Sequence, residues 1–108
     1  MKASLKRKWM KALRSGIYKQ GRTVLRQKNV DYDDTYCCLG VLCDISGVIW
    51  KDKGDYYGVG EIADIGTPTK GLRRKYGLTD DAVEDLVSLN DDHMFSFRRI
   101  ATWIEKNL

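Results

Sequence analysis

One stretch of the chain constrains the fold more than any other, because residues 37–45 are almost entirely apolar. The pattern predicts a helix from Tyr36 to Ser46, with Thr35 as its N-cap and Gly47 just past its end. Such a helix is apolar on nearly its whole circumference and belongs in the centre of a small domain. The chain has 108 residues, enough for one hydrophobic core. We therefore predict a single domain over residues 1–108, built around this central helix.

Helical periodicity and capping residues predict four further helices, and short apolar runs predict strands. The helices are expected at about 3–15, 69–76, 79–89 and 96–108, with residues 90–93 as a break. The strands are expected at 17–18 and 23–25 on either side of Gly21, and in a hairpin that pairs 48–50 with 56–59. The predicted fold class is α+β, helix-rich, with one small antiparallel sheet.

The composition excludes several classes of protein. Hydrophobic residues make up 43% of the chain, which is too many for a disordered protein. The apolar runs are short, so we expect no transmembrane helix, and charged residues near Met1 argue against a secretory signal. Three cysteines, two of them adjacent, do not make a disulfide framework. We expect a cytoplasmic location.

Charge is distributed unevenly along the chain. Ten of the nineteen basic residues and none of the fifteen acidic residues lie in residues 1–28. A concentrated positive segment attracts polyanions and phosphorylated ligands. The alternative is a solvated helix face whose charges are neutralised by the acidic remainder of the fold.

The cysteines are the first candidates for chemistry. Cys37 or Cys38 in the first turn of a helix would have a lowered thiol pKa, and His93 is the one histidine that could act as its base. The alternative, which we favour, is that these cysteines are small buried hydrophobic residues. No spacing of cysteine, histidine or acidic residues matches a metal site, and we expect neither a metal nor another cofactor.

Aromatic and basic residues interleave over the first half of the chain. Rings that stack on bases beside guanidinium groups that bind phosphate suit a nucleotide-sized ligand or single-stranded nucleic acid. Ordinary core packing is the alternative for the rings, above all for Trp9. A helix-turn-helix would present Ser96, Arg98, Arg99 and Thr102 to DNA, but we favour a helical hairpin in the core.

Three segments carry a resemblance that covers most of the chain. They are Trp9-x-x-Ala12-Leu13-Arg14-Ser15-Gly16-x-Tyr18-x-Gln20-Gly21, then Tyr36-Cys37-Cys38-Leu39-Gly40-Val41-Leu42-Cys43-Asp44, and Leu89-Asn90-Asp91 followed by Ser96-Phe97-x-x-Ile100-Ala101-x-x-Ile104-Glu105. In these segments the chain resembles small accessory proteins encoded by phages and prophages. The resemblance implies a viral accessory gene that acts in the host bacterial cytoplasm.

The leading functional prediction is a non-enzymatic binding protein that antagonises bacterial antiviral defence by sequestering an anionic, nucleotide-derived signal. The predicted ligand site consists of Arg14, Lys19, Arg22 and Arg26, with Tyr18 or Tyr57 stacking on a base. A pocket in so small a chain would need a second subunit to close it, so we expect a homo-oligomer. One alternative is a small basic regulator that binds nucleic acid or a host protein. A third is a cysteine-dependent enzyme.

Overall fold

The computed structural model describes residues 1–59 and 66–108, which form five helices and one sheet of five short strands. The predicted α+β class is confirmed. The helices are α1 (Ala3–Arg14), α2 (Cys38–Ile45), α3 (Lys70–Tyr76), α4 (Asp80–Asp91) and α5 (Phe97–Asn107). The strands are β1 (Lys19–Gln20), β2 (Arg26–Gln27), β3 (Thr35–Tyr36), β4 (Lys51–Asp52) and β5 (Tyr56–Gly58).

The apolar helix α2 lies at the centre of the core, as predicted. Every residue from Cys38 to Cys43 is buried. Its predicted start was wrong, because the N-cap is Cys37, whose Sγ accepts a hydrogen bond from the Gly40 N–H at 3.4 Å. Thr35 and Tyr36 precede the helix as strand β3, which pairs with strands on both of its sides. Pairing between distant segments therefore takes these two residues out of the helix.

A close contact between α2 and the backbone explains the glycine in this helix. A Cβ atom at Gly40 would lie 1.8 Å from the carbonyl oxygen of Leu25. Both residues are buried, so neither backbone has room to move aside. Only glycine allows α2 to pack directly on the chain that precedes it.

The sheet differs in part from the prediction. Its strand order is β1-β3-β2-β5-β4, with three antiparallel pairs and a parallel pair between β1 and β3. The predicted strands at 17–18 and 23–25 lie instead at 19–20 and 26–27, as β1 and β2. Ile17 is exposed, whereas Val24 and Leu25 are buried in the core. The predicted hairpin is confirmed as β4 and β5, although β4 occupies residues assigned to its turn.

The helical second half follows its capping residues closely. Thr79 and Ser96 each accept a hydrogen bond from a backbone N–H at the start of α4 and α5, and Gly77 ends α3 in the left-handed conformation. The break predicted at 90–93 was wrong by two residues, because α4 continues to Asp91 and includes a fully buried Asn90. Helices α1 and α5 pack mainly against each other.

Candidate functional site

Neighbouring strands place an arginine among three aromatic rings. Arg26 of β2 pairs with Tyr36 of β3 on one side and with Tyr57 of β5 on the other. Its guanidinium carbon lies 4.3 Å from the centre of the Tyr57 ring, 5.4 Å from that of Tyr36 and 5.5 Å from that of Trp50. Cations over aromatic faces are stabilised most when they are partly desolvated, and this side chain is 22% exposed. We call these four residues and Asp34 the Arg26 cluster.

The charge of Arg26 is already balanced inside the protein. The Asp34 carboxylate accepts a hydrogen bond from the Arg26 Nε–H at 2.9 Å, and the same carboxylate oxygen forms a salt bridge with Nη2 at 2.7 Å. Burial is the largest single effect and lowers the pKa of Arg26, but the bond to Asp34 and the electrostatic effects of Tyr36 and Asp44 together raise the pKa above its ordinary value, so the guanidinium stays charged. A second carboxylate, Asp44, accepts from the Tyr18 hydroxyl at 2.5 Å and from the Trp50 indole at 3.0 Å. An anion at this cluster would therefore meet two carboxylates.

The structure brings together some of the predicted ligand residues and separates others. Arg26 and Tyr57 are in direct contact, and Tyr18 joins them through Tyr36, with ring centres 5.0 Å apart. Lys19 follows Tyr18 but forms an exposed salt bridge to an aspartate, with a separation of 3.3 Å. Tyr18 and Lys19 line a cavity of about 320 Å³ that also contains three aspartates.

The other two predicted residues lie elsewhere. Arg14 is on α1 and forms a salt bridge with Glu105 of α5 at 3.2 Å. Arg22 is exposed and forms no ion pair with any residue that the structure describes. That all six predicted residues line one ligand site stays a prediction.

The cysteines are buried, which confirms the interpretation that they belong to the core. Burial raises the pKa of Cys37 and of Cys43 to about 12 and raises the pKa of Cys38 well above its ordinary value. The lowered thiol pKa expected at a helix start is thus wrong, because desolvation outweighs the favourable helix N–H groups. His93 is exposed, with its ring 6.4 Å from that of Phe95.

The solvent face of α5 carries an open groove of about 400 Å³, which we call the α5 groove. Its lining includes two rings and three cations, namely Phe95, Trp103, Arg98, Arg99 and Lys106. The guanidinium carbon of Arg99 lies 3.7 Å from the centre of the Phe95 ring. Among the described residues, none of the three cations forms an ion pair, and no acidic residue lines the groove. Sequence reasoning considered Arg98 and Arg99 only as part of a DNA-binding motif.

The exposed face of α1 is also basic. Lys2, just before the helix, and Arg7, Lys8 and Lys11 within it are exposed, and none forms an ion pair in residues 1–59 or 66–108. Helix α1 packs against α5, and the Lys6 amine donates to the Glu105 carbonyl at 3.1 Å. We call these four residues, together with the three cations of the α5 groove, the basic surface.

A buried asparagine connects the end of α4 to two other parts of the fold. The Asn90 Oδ1 accepts from the Gln20 amide at 3.0 Å and from the Cys38 N–H at 3.2 Å. Its amide group donates to the Gly21 carbonyl at 2.9 Å and to Asp91 at 2.8 Å. The Gln20 amide also donates to the carbonyl of Phe95, so this network holds the residue at which the α5 groove begins. The sequence analysis missed this network, because the sequence does not distinguish a buried asparagine from one in an exposed loop.

No group of three or more histidine, cysteine or acidic side chains in the described residues could hold a metal ion. No helix in the described part of the chain is long and apolar enough to cross a membrane.

The chain matches the model of a known protein family. The model of a family described as a domain of unknown function, DUF8296, matches residues 1–63. The chain belongs to this family. The matched residues include α1, the sheet and α2, whereas α3, α4 and α5 follow them. No curated protein and no solved structure gives a significant match.

Proposed function

We propose that this member of the family is a non-enzymatic binding protein that sequesters an anionic, nucleotide-derived ligand. The observation that carries the proposal is the basic surface, whose seven cations form no ion pair with the described residues. Where α1 meets α5, the acidic residue Glu105 is already bound by Arg14. The three cations that line the α5 groove repel one another, and a bound anion relieves that repulsion.

Two further features support binding rather than covalent chemistry. The thiols of the three cysteines are buried and held protonated at neutral pH by their raised pKa values, so they are poor nucleophiles. The resemblance to phage and prophage accessory proteins supports a role in infection. We propose that the protein antagonises bacterial antiviral defence in the host cytoplasm by removing a nucleotide-derived signal from solution.

The α5 groove is open to solvent, and a second subunit would cover a ligand bound there. We therefore propose that the protein works as a homo-oligomer. Light scattering at micromolar concentration should give a mass above that of one chain. A single peak at the mass of the monomer contradicts this part of the proposal.

Nucleic acid is the second candidate ligand, and the extent of the basic surface favours it. The seven cations extend over two helices instead of converging on one enclosed pocket. A protein that contacts several phosphates of a nucleic acid loses affinity steeply with salt, with a log–log slope that grows with the number of contacts. A nucleotide-sized ligand gives a shallower slope over the same range, so a salt titration separates the two candidates.

The test of the leading proposal is native mass spectrometry of protein purified from bacterial cells, followed by equilibrium binding to a panel of nucleotides. We expect a phosphate-containing adduct that is lost on denaturation, or binding to at least one nucleotide. The double variant Lys11→Glu/Arg98→Glu should lose both the adduct and the nucleotide binding. The matched control is Lys51→Glu/Lys53→Glu, which has the same charge change on exposed residues of the hairpin and should retain both.

Two outcomes contradict the proposal. One is a bare protein mass together with no binding to any member of the panel. The other is equal loss of binding in the two double variants, since net charge alone would then explain the effect. The single variant Arg22→Glu tests the site predicted from the sequence, because Arg22 is exposed and its replacement leaves the Arg26 cluster intact.

A further inference from the structure

We propose that the α5 groove is a nucleotide site in which a base stacks on Trp103 and the phosphates contact Arg98, Arg99 and Lys106. This assignment rests on the proposed function, since it locates the ligand that the function requires. It differs from the sequence-based site, which includes none of these residues. The groove lies along α5, and Phe95, just before the helix, forms one end of it.

Trp103 differs from the other two tryptophans in having an unused indole N–H. The Trp9 indole donates to the Cys38 carbonyl at 2.9 Å, and the Trp50 indole donates to Asp44 at 3.0 Å. The Trp103 indole donates to no residue that the structure describes, and its ring has no aromatic partner there. The side chain is half-buried against the core and lines the groove. Trp103 therefore provides a ring whose position is fixed by packing, on which a base can stack, and an indole N–H that is available as a hydrogen-bond donor.

Phe95 and the cations complete the arrangement. The Arg99 guanidinium covers the Phe95 ring, which holds the arginine close to one end of the groove. Arg98 and Lys106 are eight residues apart, which is about 12 Å along a helix. That span has room for a base and a short phosphate chain, and no carboxylate in the groove lining opposes the phosphates.

The Arg26 cluster offers the same residue types but a different electrostatic environment. Its arginine is bonded to Asp34, and its Trp50 indole is bonded to Asp44. A phosphate would have to displace a carboxylate that is bonded at 2.7 Å. The α5 groove requires no such displacement, so it is the more favourable site for an anion with a ring.

The experiment compares the four ribonucleoside 5′-triphosphates with inorganic tripolyphosphate by calorimetry on the full chain. Stacking of one base should make at least one nucleotide bind about 5- to 150-fold tighter than tripolyphosphate. Trp103→Leu should reduce that ratio to about one while tripolyphosphate binding stays within about twofold. Arg98→Gln/Lys106→Gln should weaken both ligands, and Lys51→Gln/Lys53→Gln, the matched control, should weaken neither.

A second measurement does not depend on the stability of a variant. In nuclear magnetic resonance spectra of the wild-type protein, the indole N–H signal of Trp103 should shift on nucleotide addition and that of buried Trp9 should not. Trp103→Phe assigns the signal. Equal affinity for nucleotide and tripolyphosphate, or an unmoved Trp103 signal, overturns the nucleotide site and leaves anion binding intact. Absence of binding to every anion overturns the proposed function as well.

Discussion

Replacing Asn90 with leucine should destabilise the protein much more than its modest change in size implies. The side chain is completely buried and makes four hydrogen bonds, so both of its polar atoms are fully used. Leucine has the branched shape of asparagine and the same number of side-chain heavy atoms, but it is larger, so it leaves no cavity and adds some crowding. The main cost comes from the polar partners that lose their bond.

The magnitude follows from those partners. Cys38 is the first residue of α2, so its buried N–H has no acceptor within the helix, and leaving it unsatisfied costs about 1–3 kcal/mol. The Gly21 carbonyl is half-buried, and losing its bond costs about 0.5–1.5 kcal/mol. Gln20 keeps its second acceptor, the Phe95 carbonyl. The expected loss is roughly 2–4 kcal/mol, or roughly 10–30 °C in Tm.

Urea denaturation followed by circular dichroism measures this loss. The control is Asn107→Ala, which removes an exposed amide that donates to the Trp103 carbonyl at 2.8 Å and should cost less than about 0.5 kcal/mol. A loss below about 1 kcal/mol for Asn90→Leu, with an unchanged m-value, would refute the reasoning. It would mean that water or a shifted backbone satisfies the released groups.

Three further predictions follow from burial and close packing. Gly40→Ala should lower the free energy of unfolding by more than about 4 kcal/mol or prevent folding, because the new Cβ would clash with the Leu25 carbonyl. Gly71→Ala is the control and should be tolerated, because the nearest atom to its new Cβ lies at 4.0 Å. Thermal melts compare the two variants. A thiol reagent at about pH 8 should leave all three buried cysteines unmodified in the native protein and should modify all of them in guanidinium chloride. Rapid labelling of the cysteines in the native protein would contradict the burial of the thiols. Burial and the bond to Asp44 raise the pKa of Tyr18, so the unfolded chain releases this proton first and stability falls above about pH 10. Urea midpoints between about pH 9 and 11 should fall less steeply in Tyr18→Phe, and equal slopes would contradict the shift.

The helices could be predicted from the sequence because their signals are local. Thr79 and Ser96 cap α4 and α5 within three residues of the N–H groups that they bind, and Gly77 ends α3 by its own backbone conformation. The buried centre could be predicted for a similar reason, since an apolar circumference leaves α2 no solvent face.

The strands and the candidate site could not be predicted in the same way. Each strand has only two or three residues, too few for a periodic pattern, and their positions depend on partners elsewhere in the chain. The basic residues look alike in the sequence, but Arg26 is bonded to a nearby carboxylate and Arg98 is not. The sequence therefore located a surplus of positive charge in residues 1–28 without showing which cations are paired with a carboxylate.

The sequence by itself determined the helices, most of their ends and the segment that had to be buried, because each of these depends on residues within one or two turns. The tertiary structure decided which residues meet across the chain. It brought Asn90 to Cys38, 52 residues away, and Arg14 to Glu105, 91 residues away. Those contacts determine which polar groups are satisfied and which cations form ion pairs. Hydrogen bonding and charge pairing depend on distance in space, which a linear pattern does not contain.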